Sequence, residues 1–380
     1  MNQVFSYWEQ TSFLAGYDVV IVGSGIVGLS AAFHLKLIGP QLNICVLEAG
    51  FLPSGASTKN AGFACFGSIS ELIEDLETTS EDEILQLIEM KWKGLELLRK
   101  TLGDNSIDYQ GLGGFEIFTK KENLTAKACK EKIGYVNKLI SPIIGRPDIY
   151  AVANEKIADF AFKGVQTLIE NRCEGQIDTG KMMKALIYKV QQLGVMIFNN
   201  CRLNTVKQTS PYLTLLTSQG NFSAKKVILA NNAFITQLFP DLNILPGRGQ
   251  VLLTEPIKNL KVTGAFHYDK GYYYFRNIDN RILLGGGRNI NFKAEETLEL
   301  GITDSVQNAL EKLLYELILP NQVPKIDQRW SGIMGFGKEL QPIVKQIEPN
   351  IFCAVRCNGM GVAMGSLVGQ QVANLVLASS

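Results

Sequence analysis

Residues Tyr17–Glu48 read YDVVIVGSGIVGLSAAFHLKLIGPQLNICVLE, and this stretch decides the fold. The apolar run Val19–Val22 reads as a buried strand that ends in Gly23-Ser24-Gly25-Ile26-Val27-Gly28, and the small residues Ser30, Ala31 and Ala32 open a helix directly after it. Gly23 permits the tight turn off the strand, Gly25 lets backbone approach a pyrophosphate, and Gly28 lets helix and strand pack closely. The free N–H groups and positive dipole end of the helix then face the phosphate. A second apolar run, Ile44–Leu47, stops at Glu48, 20 residues beyond Gly28, where a carboxylate accepts hydrogen bonds from an adenosine ribose. GxGxxG alone is a weak signal; a strand before it, a helix after it and an acid at this distance make it a dinucleotide site. These residues leave open which dinucleotide it is.

The bulk numbers fit an enzyme with more than one lobe. A chain of 380 residues can bury two sizeable cores. Its 37 basic and 36 acidic residues imply no polybasic face for nucleic acid or an anionic membrane. The seven cysteines are odd in number, and only Cys353 and Cys357 lie close together, with no histidine pair beside them. That pattern reads as reduced thiols rather than disulfides or a zinc site, and no metal is expected. The N-terminal MNQVFSYWEQTSFLAG lacks both the basic start and the apolar centre of a signal peptide. The long apolar stretches read as buried strands and helices short of a membrane span, so the expected location is the cytoplasm.

Past Glu48 comes a loop rich in Gly, Ser and Ala, PSGASTKNAGFACFGS, over residues 53–68. Residues Glu81–Leu102 carry Ile84, Ile88, Trp92, Leu95 and Leu98 at helical spacing and stop at Gly103. GLGGFEIFT (111–119) reads as a strand entered through glycines, without the acid that a second nucleotide fingerprint requires. Asp178–Leu193 reads as an amphipathic helix closed by Gly194, and KVILANNAF (226–234) as a buried strand. From Leu245 to Gly287 the pattern is mostly strand, a helix follows over Asp304–Leu317, and IFCAVRC (351–357) is a last strand running into GMGVAMG and a closing helix. The expected fold is therefore α/β plus antiparallel β. A Rossmann-like nucleotide lobe comes from residues 15–70, 160–240 and 327–380, and an antiparallel-sheet substrate lobe from 71–159 and 241–326.

In this order, the fingerprint, the GASTKNAGF loop, VILANNAF, GYYYFRNIDNRILLGGG and RWSGIMGFGKELQPIV…NGMGVAMG resemble the D-amino-acid oxidase superfamily, which includes glycine and sarcosine oxidases. The last two segments most resemble its γ-glutamylputrescine oxidase branch. The resemblance implies noncovalent FAD, since no cysteine or histidine stands where related enzymes attach flavin. It implies that Ser57, Thr58 and Lys59 contact the pyrophosphate or ribityl chain, and that Asn60, Ala61 and Gly62 run alongside the isoalloxazine. Ala49, Leu203, Ala230, Asn231 and Gly332 complete the implied contacts, together with Asn358, Gly359, Met360, Gly361 and Val362 at the start of the last helix. A helix N-terminus there suits the negative charge that gathers on N1–C2=O of reduced flavin. Two other readings of GMGVAMG stay open, a nicotinamide-nucleotide site and a glycine-rich packing seam.

For the substrate end, side chains alternate along Gly271–Asn277 (GYYYFRN), placing Tyr273 and Phe275 on one face and Tyr272, Tyr274 and Arg276 on the other. The resemblance turns Tyr273 and Phe275 toward the open face of the flavin. With Arg276 they are the candidate catalytic residues. His267 reads as structural, and His34 as packing or surface. The sequence also departs from the family pattern. Met334 stands where glycine-oxidase-like members carry a carboxylate-gripping arginine, so either Arg276, Arg329 or Arg356 takes over or the substrate is no simple α-amino acid. The resemblance to the γ-glutamylputrescine oxidase branch favours the second option. Leu283 stands where sarcosine-oxidase-like members carry a lysine near N5, which leaves oxidase and dehydrogenase both open. Ala230-Asn231-Asn232 replaces the usual A-T-G.

The function this implies is oxidation of a CH–NH bond of an amine or amino-acid derivative to an imine by hydride transfer to flavin, with oxygen or another acceptor taking the electrons. A flavoprotein that binds FAD without amine turnover and a nicotinamide-dependent reductase are the alternatives.

Overall fold

The computed structural model describes residues 4–379, so the first three residues of the N-terminal stretch judged above lie outside it. The fingerprint folds as its spacing predicts. Strand Tyr17–Val22 is buried, helix Ile26–Ile38 starts after Gly25, and strand Ile44–Leu47 returns beside the first in parallel register. These strands sit inside an eight-stranded sheet whose path runs 343–348, 351–355, 221–229, 17–22, 44–47 and 196–198. Strands 203–209 and 212–217 extend it as an antiparallel meander off 221–229. One face of this sheet is covered by helices Ile26–Ile38, Thr179–Gln192 and Gly361–Ala378, with Glu81–Leu102 packed on the last of them.

The second sheet also has eight strands, in the order 326–336, 245–254, 281–286, 273–278, 265–268, 114–119, 165–171 and 150–152. Every neighbouring pair is antiparallel except 265–268 with 114–119. Strands Val165–Asn171 and Ile326–Phe336, expected in the nucleotide lobe, belong to this sheet. Sequence pattern carries no mark of which sheet a strand will join. One face of the sheet packs on helix Asp304–Leu313 around stacked Phe266 and Phe275, with ring centroids 4.8 Å apart. The other face is covered at one end by helices Ile69–Thr78, Glu81–Leu102 and Asn123–Ile144.

Local chemistry accounts for the helix ends. Ser68 and Glu71 form a reciprocal capping box, Ser80 caps Glu81–Leu102, and Gly103 ends that helix at φ +84°, where only glycine is unstrained. The helix expected over Asp304–Leu317 ends at Leu313 and loosens into a wide turn over Leu314–Ile318. Gly361–Ala378, read above as short of a membrane span, has the length and apolarity of one. Its apolar surface is instead used in packing. A Cβ on Gly365 would sit 2.8 Å from Ile26 Cγ2, one on Gly369 2.6 Å from Ser30 Cβ, and one on Gly94 2.3 Å from the Ala363 carbonyl oxygen.

Candidate active site

The fingerprint glycines have no room for side chains. A Cβ on Gly23 would lie 2.8 Å from the Ala230 carbonyl oxygen, one on Gly25 2.9 Å from Ser57 Oγ, and one on Gly28 2.0 Å from the Gly23 carbonyl oxygen. Ser57 Oγ accepts from the Ile26 N–H at 3.0 Å, leaving the N–H groups of Val27 and Gly28 to an outside acceptor. Glu48, 7% exposed, ends its strand with one carboxylate oxygen on Ser24 and the other on Gly50 and Ser54. Asn231 Oδ1 is buried and has no partner beside this turn. Together these give a helix start with free N–H groups, flanked by a carboxylate and an unpaired amide oxygen.

The loop after Ala56 is held from both lobes. Asn60 Oδ1 accepts from the Gly62 N–H (2.8 Å) and Thr179 Oγ1 (2.9 Å), while its Nδ2 donates to the carbonyls of Ala56 and Ser57. Thr58 Oγ1 donates back to Pro53, so its hydroxyl serves the loop. Across the lobe boundary, Trp330 Nε1 donates to the Lys59 carbonyl at 3.1 Å, and a Cβ on Gly332 would lie 2.9 Å from Lys59 Cβ. Arg276 Nη1 donates to the carbonyls of Ala61 (3.2 Å), Gly62 (3.1 Å) and Ile177 (2.6 Å). Burial pulls its pKa down to about 10, against partial support from Asp178, Asp108 and Asp279, so it stays charged at neutral pH.

The sheet face that meets this loop is defined by a cross-strand row. Trp330, Val251, Gly285, Tyr274, His267 and Glu116 lie directly opposite one another in sequence of strands, hence on one side. The Tyr274 ring lies across Gly285, whose Cβ would fall 2.5 Å from Tyr274 Cε2, and edge-on to Phe63 at 5.6 Å. Phe63 also meets His267 edge-on at 5.3 Å. Burial lowers the His267 pKa and keeps it neutral, with Nε2 unpartnered beside a cavity of about 10 Å³ lined by Glu116, Glu174 and Asn171. Met334 joins the face to the last helix: its Cε would be 2.8 Å from a Gly249 Cβ, and its Sδ 3.7 Å from a Gly359 Cβ. Leu283, opposite Arg276, is on this same face.

The aromatic assignment on Gly271–Asn277 is therefore reversed. Phe275 is fully buried in the opposite core, and Tyr273 packs there beside Tyr268. Both faces of this sheet are covered, so both carry rings and alternation alone cannot rank them. Tyr274 is the tyrosine turned toward the loop. Arg276 is a clamp on the loop backbone rather than a free anion anchor. Arg329 is held by Gln307 and Glu311 on the helix side, and Arg356 by Glu339 and Gln341. All three guanidinium groups are thus engaged by acceptors of the protein itself.

At the C-terminal turn, Arg356, Asn358 and Gly359 all adopt positive φ, and Asn358 Nδ2 is spent on the carbonyls of Glu339 and Leu340. Gly359, Met360 and Gly361 lead into the helix that contains Val362, whereas Gly365 belongs to the packing seam. Leu203 opens a meander strand that packs on the far core, and Ala49 is exposed just beyond Glu48.

A dinucleotide cradle in an α/β lobe, closed by an antiparallel sheet from a second lobe, defines a two-lobe dinucleotide-binding protein. The chain belongs to the family of FAD dependent oxidoreductases, whose model matches residues 18–375. Its cofactor is FAD, and the close-packed glycines, free helix N–H groups, carboxylate and unpartnered amide oxygen at this turn fit that group. Among curated relatives, the γ-glutamylputrescine oxidoreductase of Escherichia coli (strain K12) is 27% identical over 378 residues, covering 94% of this chain and 83% of that protein. The glycine oxidase of Geobacillus kaustophilus (strain HTA426) is 23% identical over 382 residues, covering 95% and 93%. The crystal structure of the glycine oxidase from Geobacillus kaustophilus superposes with a TM-score of 0.76 at 20% identity, covering 97% of this chain and 96% of that one. The L-proline dehydrogenase from P. horikoshii does so at 0.74 and 19%, covering 96% and 94%.

Proposed function

We propose that the protein oxidises a CH–NH bond of a small amine or amino-acid derivative to an imine, which water then hydrolyses. Bound FAD supplies the hydride acceptor. The chain's own residues do the rest. The first turn of Ile26–Ile38 and Ser57 hold the pyrophosphate, Glu48 the ribose, and residues 59–62 the ring, with the Gly359–Val362 turn supplying a positive dipole end. Tyr274, Phe63, Trp330 and Met334 wall the substrate space and keep water from it. Tyr274 stays protonated there, its pKa pushed up to about 12 by burial, and so offers a hydroxyl donor and no base. A neutral amine needs no dedicated base, only a C–H bond held in line with the acceptor.

The observation that carries this reading is the double clamp on residues 59–62. Trp330 and Arg276, both from the second lobe, hydrogen-bond the carbonyls of the loop that leads out of the nucleotide lobe. The test is anaerobic mixing of the FAD-loaded protein with polyamines, acylated diamines and amino acids. Bleaching of the flavin absorbance by at least one class is expected; a yellow protein that none of them bleaches would refute amine turnover.

A further inference from the structure

We propose that Arg288 is the substrate's anion anchor, moved from the strand that holds Met334 to the turn after Arg281–Gly286, and that the preferred amine therefore carries a carboxylate. The inference rests on the amine-oxidation reading above. Of the ten arginines, eight spend their side chains on hydrogen bonds to carboxylates, amide oxygens or carbonyls, and Arg202 lies on the surface. Among the described residues Arg288 alone is partly buried and makes no hydrogen bond from its guanidinium.

Its position is defined by two rings and a glycine. The guanidinium carbon stands 3.9 Å from the centroid of Phe336 and 5.0 Å from that of Phe292. Nη1 would be 2.8 Å from a Cβ on Gly247, the residue paired with Met334. Gly247 and Gly249 share a strand face, and Met334 Cε lies over Gly249. Two strand residues span roughly 7 Å, so the Arg288 guanidinium stands about that far from the Met334 methyl on the same side.

Stacking fixes the plane of the guanidinium and leaves its N–H edge without a protein acceptor, which is the arrangement that takes a carboxylate with two parallel bonds. Of the two acids near it, Glu295 is bonded to Arg248, Gln250 and Thr303, and the exposed Glu296 makes no hydrogen bond or ion pair with the guanidinium. A lysine would lose both the stack and the fork. A carboxylate held here lies one short aliphatic spacer from the Met334–Tyr274 wall, so the class selected is an amine with its anion several bonds from the reacting carbon.

The test uses the FAD-loaded enzyme with hexanoate and hexanamide as probes, each titrated by the change in flavin absorbance. The wild type is expected to bind hexanoate about ten- to a hundredfold more tightly than hexanamide, the range for a charge-assisted bond. Arg288→Gln should abolish that preference with FAD content unchanged, and Arg288→Lys should restore only part of it. Equal binding of the two probes by the wild type, or a preference that survives in Arg288→Gln, would overturn the assignment. A matched pair, N-succinyl- and N-butanoyl-1,4-diaminobutane, separates the two proposals. Carboxylate preference in binding with no bleaching by any amine sinks amine turnover and leaves the anchor standing. Bleaching by neutral amines without carboxylate preference does the reverse.

Discussion

Removing the Arg276 guanidinium should loosen the flavin loop without touching the fingerprint. In Arg276→Met the carbonyls of Ala61, Gly62 and Ile177, all on buried residues, lose their shared donor. Nη1 carries two protons for three acceptors, so the native set amounts to two full bonds. At about 1.5–3 kcal/mol for each bond to a charged group, the loss is of order 3–6 kcal/mol, reduced where water reaches the carbonyls. Spread over 380 residues, with an unfolding entropy of about 0.8 kcal/mol/K, 3 kcal/mol lowers Tm by about 4 °C. If the same loss falls on the FAD-bound form alone, FAD affinity drops about a hundredfold. Differential scanning calorimetry with and without added FAD, beside flavin absorbance after desalting, measures both. Arg276→Lys should lie between. An Arg276→Met protein that keeps its flavin and its Tm would show that Trp330 and Asn60 hold the loop by themselves.

The other predictions concern separate parts of the molecule. Gly28→Ala places a Cβ 2.0 Å from the Gly23 carbonyl, so the purified variant should be colourless. Tyr274→Phe should slow flavin reduction by amines or raise the amine concentration needed, while Tyr273→Phe should leave stopped-flow reduction near wild type; the opposite order would return Tyr273 to the site. Phe275→Ala removes a ring stacked on Phe266 and should cost about 3–5 kcal/mol in denaturant unfolding. Burial raises the Glu116 pKa to about 8 from an ordinary 4.5, against the opposing hydrogen bonds from Ser70. Its contribution to stability is thus complete below pH 4.5 and lost as pH rises through 8. Glu116→Gln should therefore shrink the fall in Tm between pH 5.5 and 9, and an unchanged fall would assign it to other groups.

Much of this was legible because the signals are local. Glycine spacing in Gly23–Gly28 prescribes a turn that only a few geometries satisfy, and the acid at Glu48 follows from the length of one helix and one strand. Helix Glu81–Leu102 was readable because Ile84, Ile88, Trp92, Leu95 and Leu98 keep helical spacing as far as Gly103, and the structure adds Ser80 as the cap at its start. Helix Asn123–Ile144 escaped notice: Thr125, Gly134, Asn137 and Pro142 interrupt its apolar spacing, and packing against the second sheet overrides weak propensity.

What the sequence determined by itself was the cofactor end: a strand, a turn without side chains, a helix start and a carboxylate, all within 32 residues. Which face of Tyr273–Ile278 meets the loop was decided only in three dimensions, because alternation defines two faces and pairing with neighbouring strands selects between them. The same holds for the arginines. Whether a guanidinium is free depends on which carbonyls and carboxylates the chain brings to it from 100 or 200 positions away, and composition is silent on that. Arg276, adjacent to an aromatic run, is consumed as a clamp; Arg288, unremarkable after three glycines, is left with an open edge.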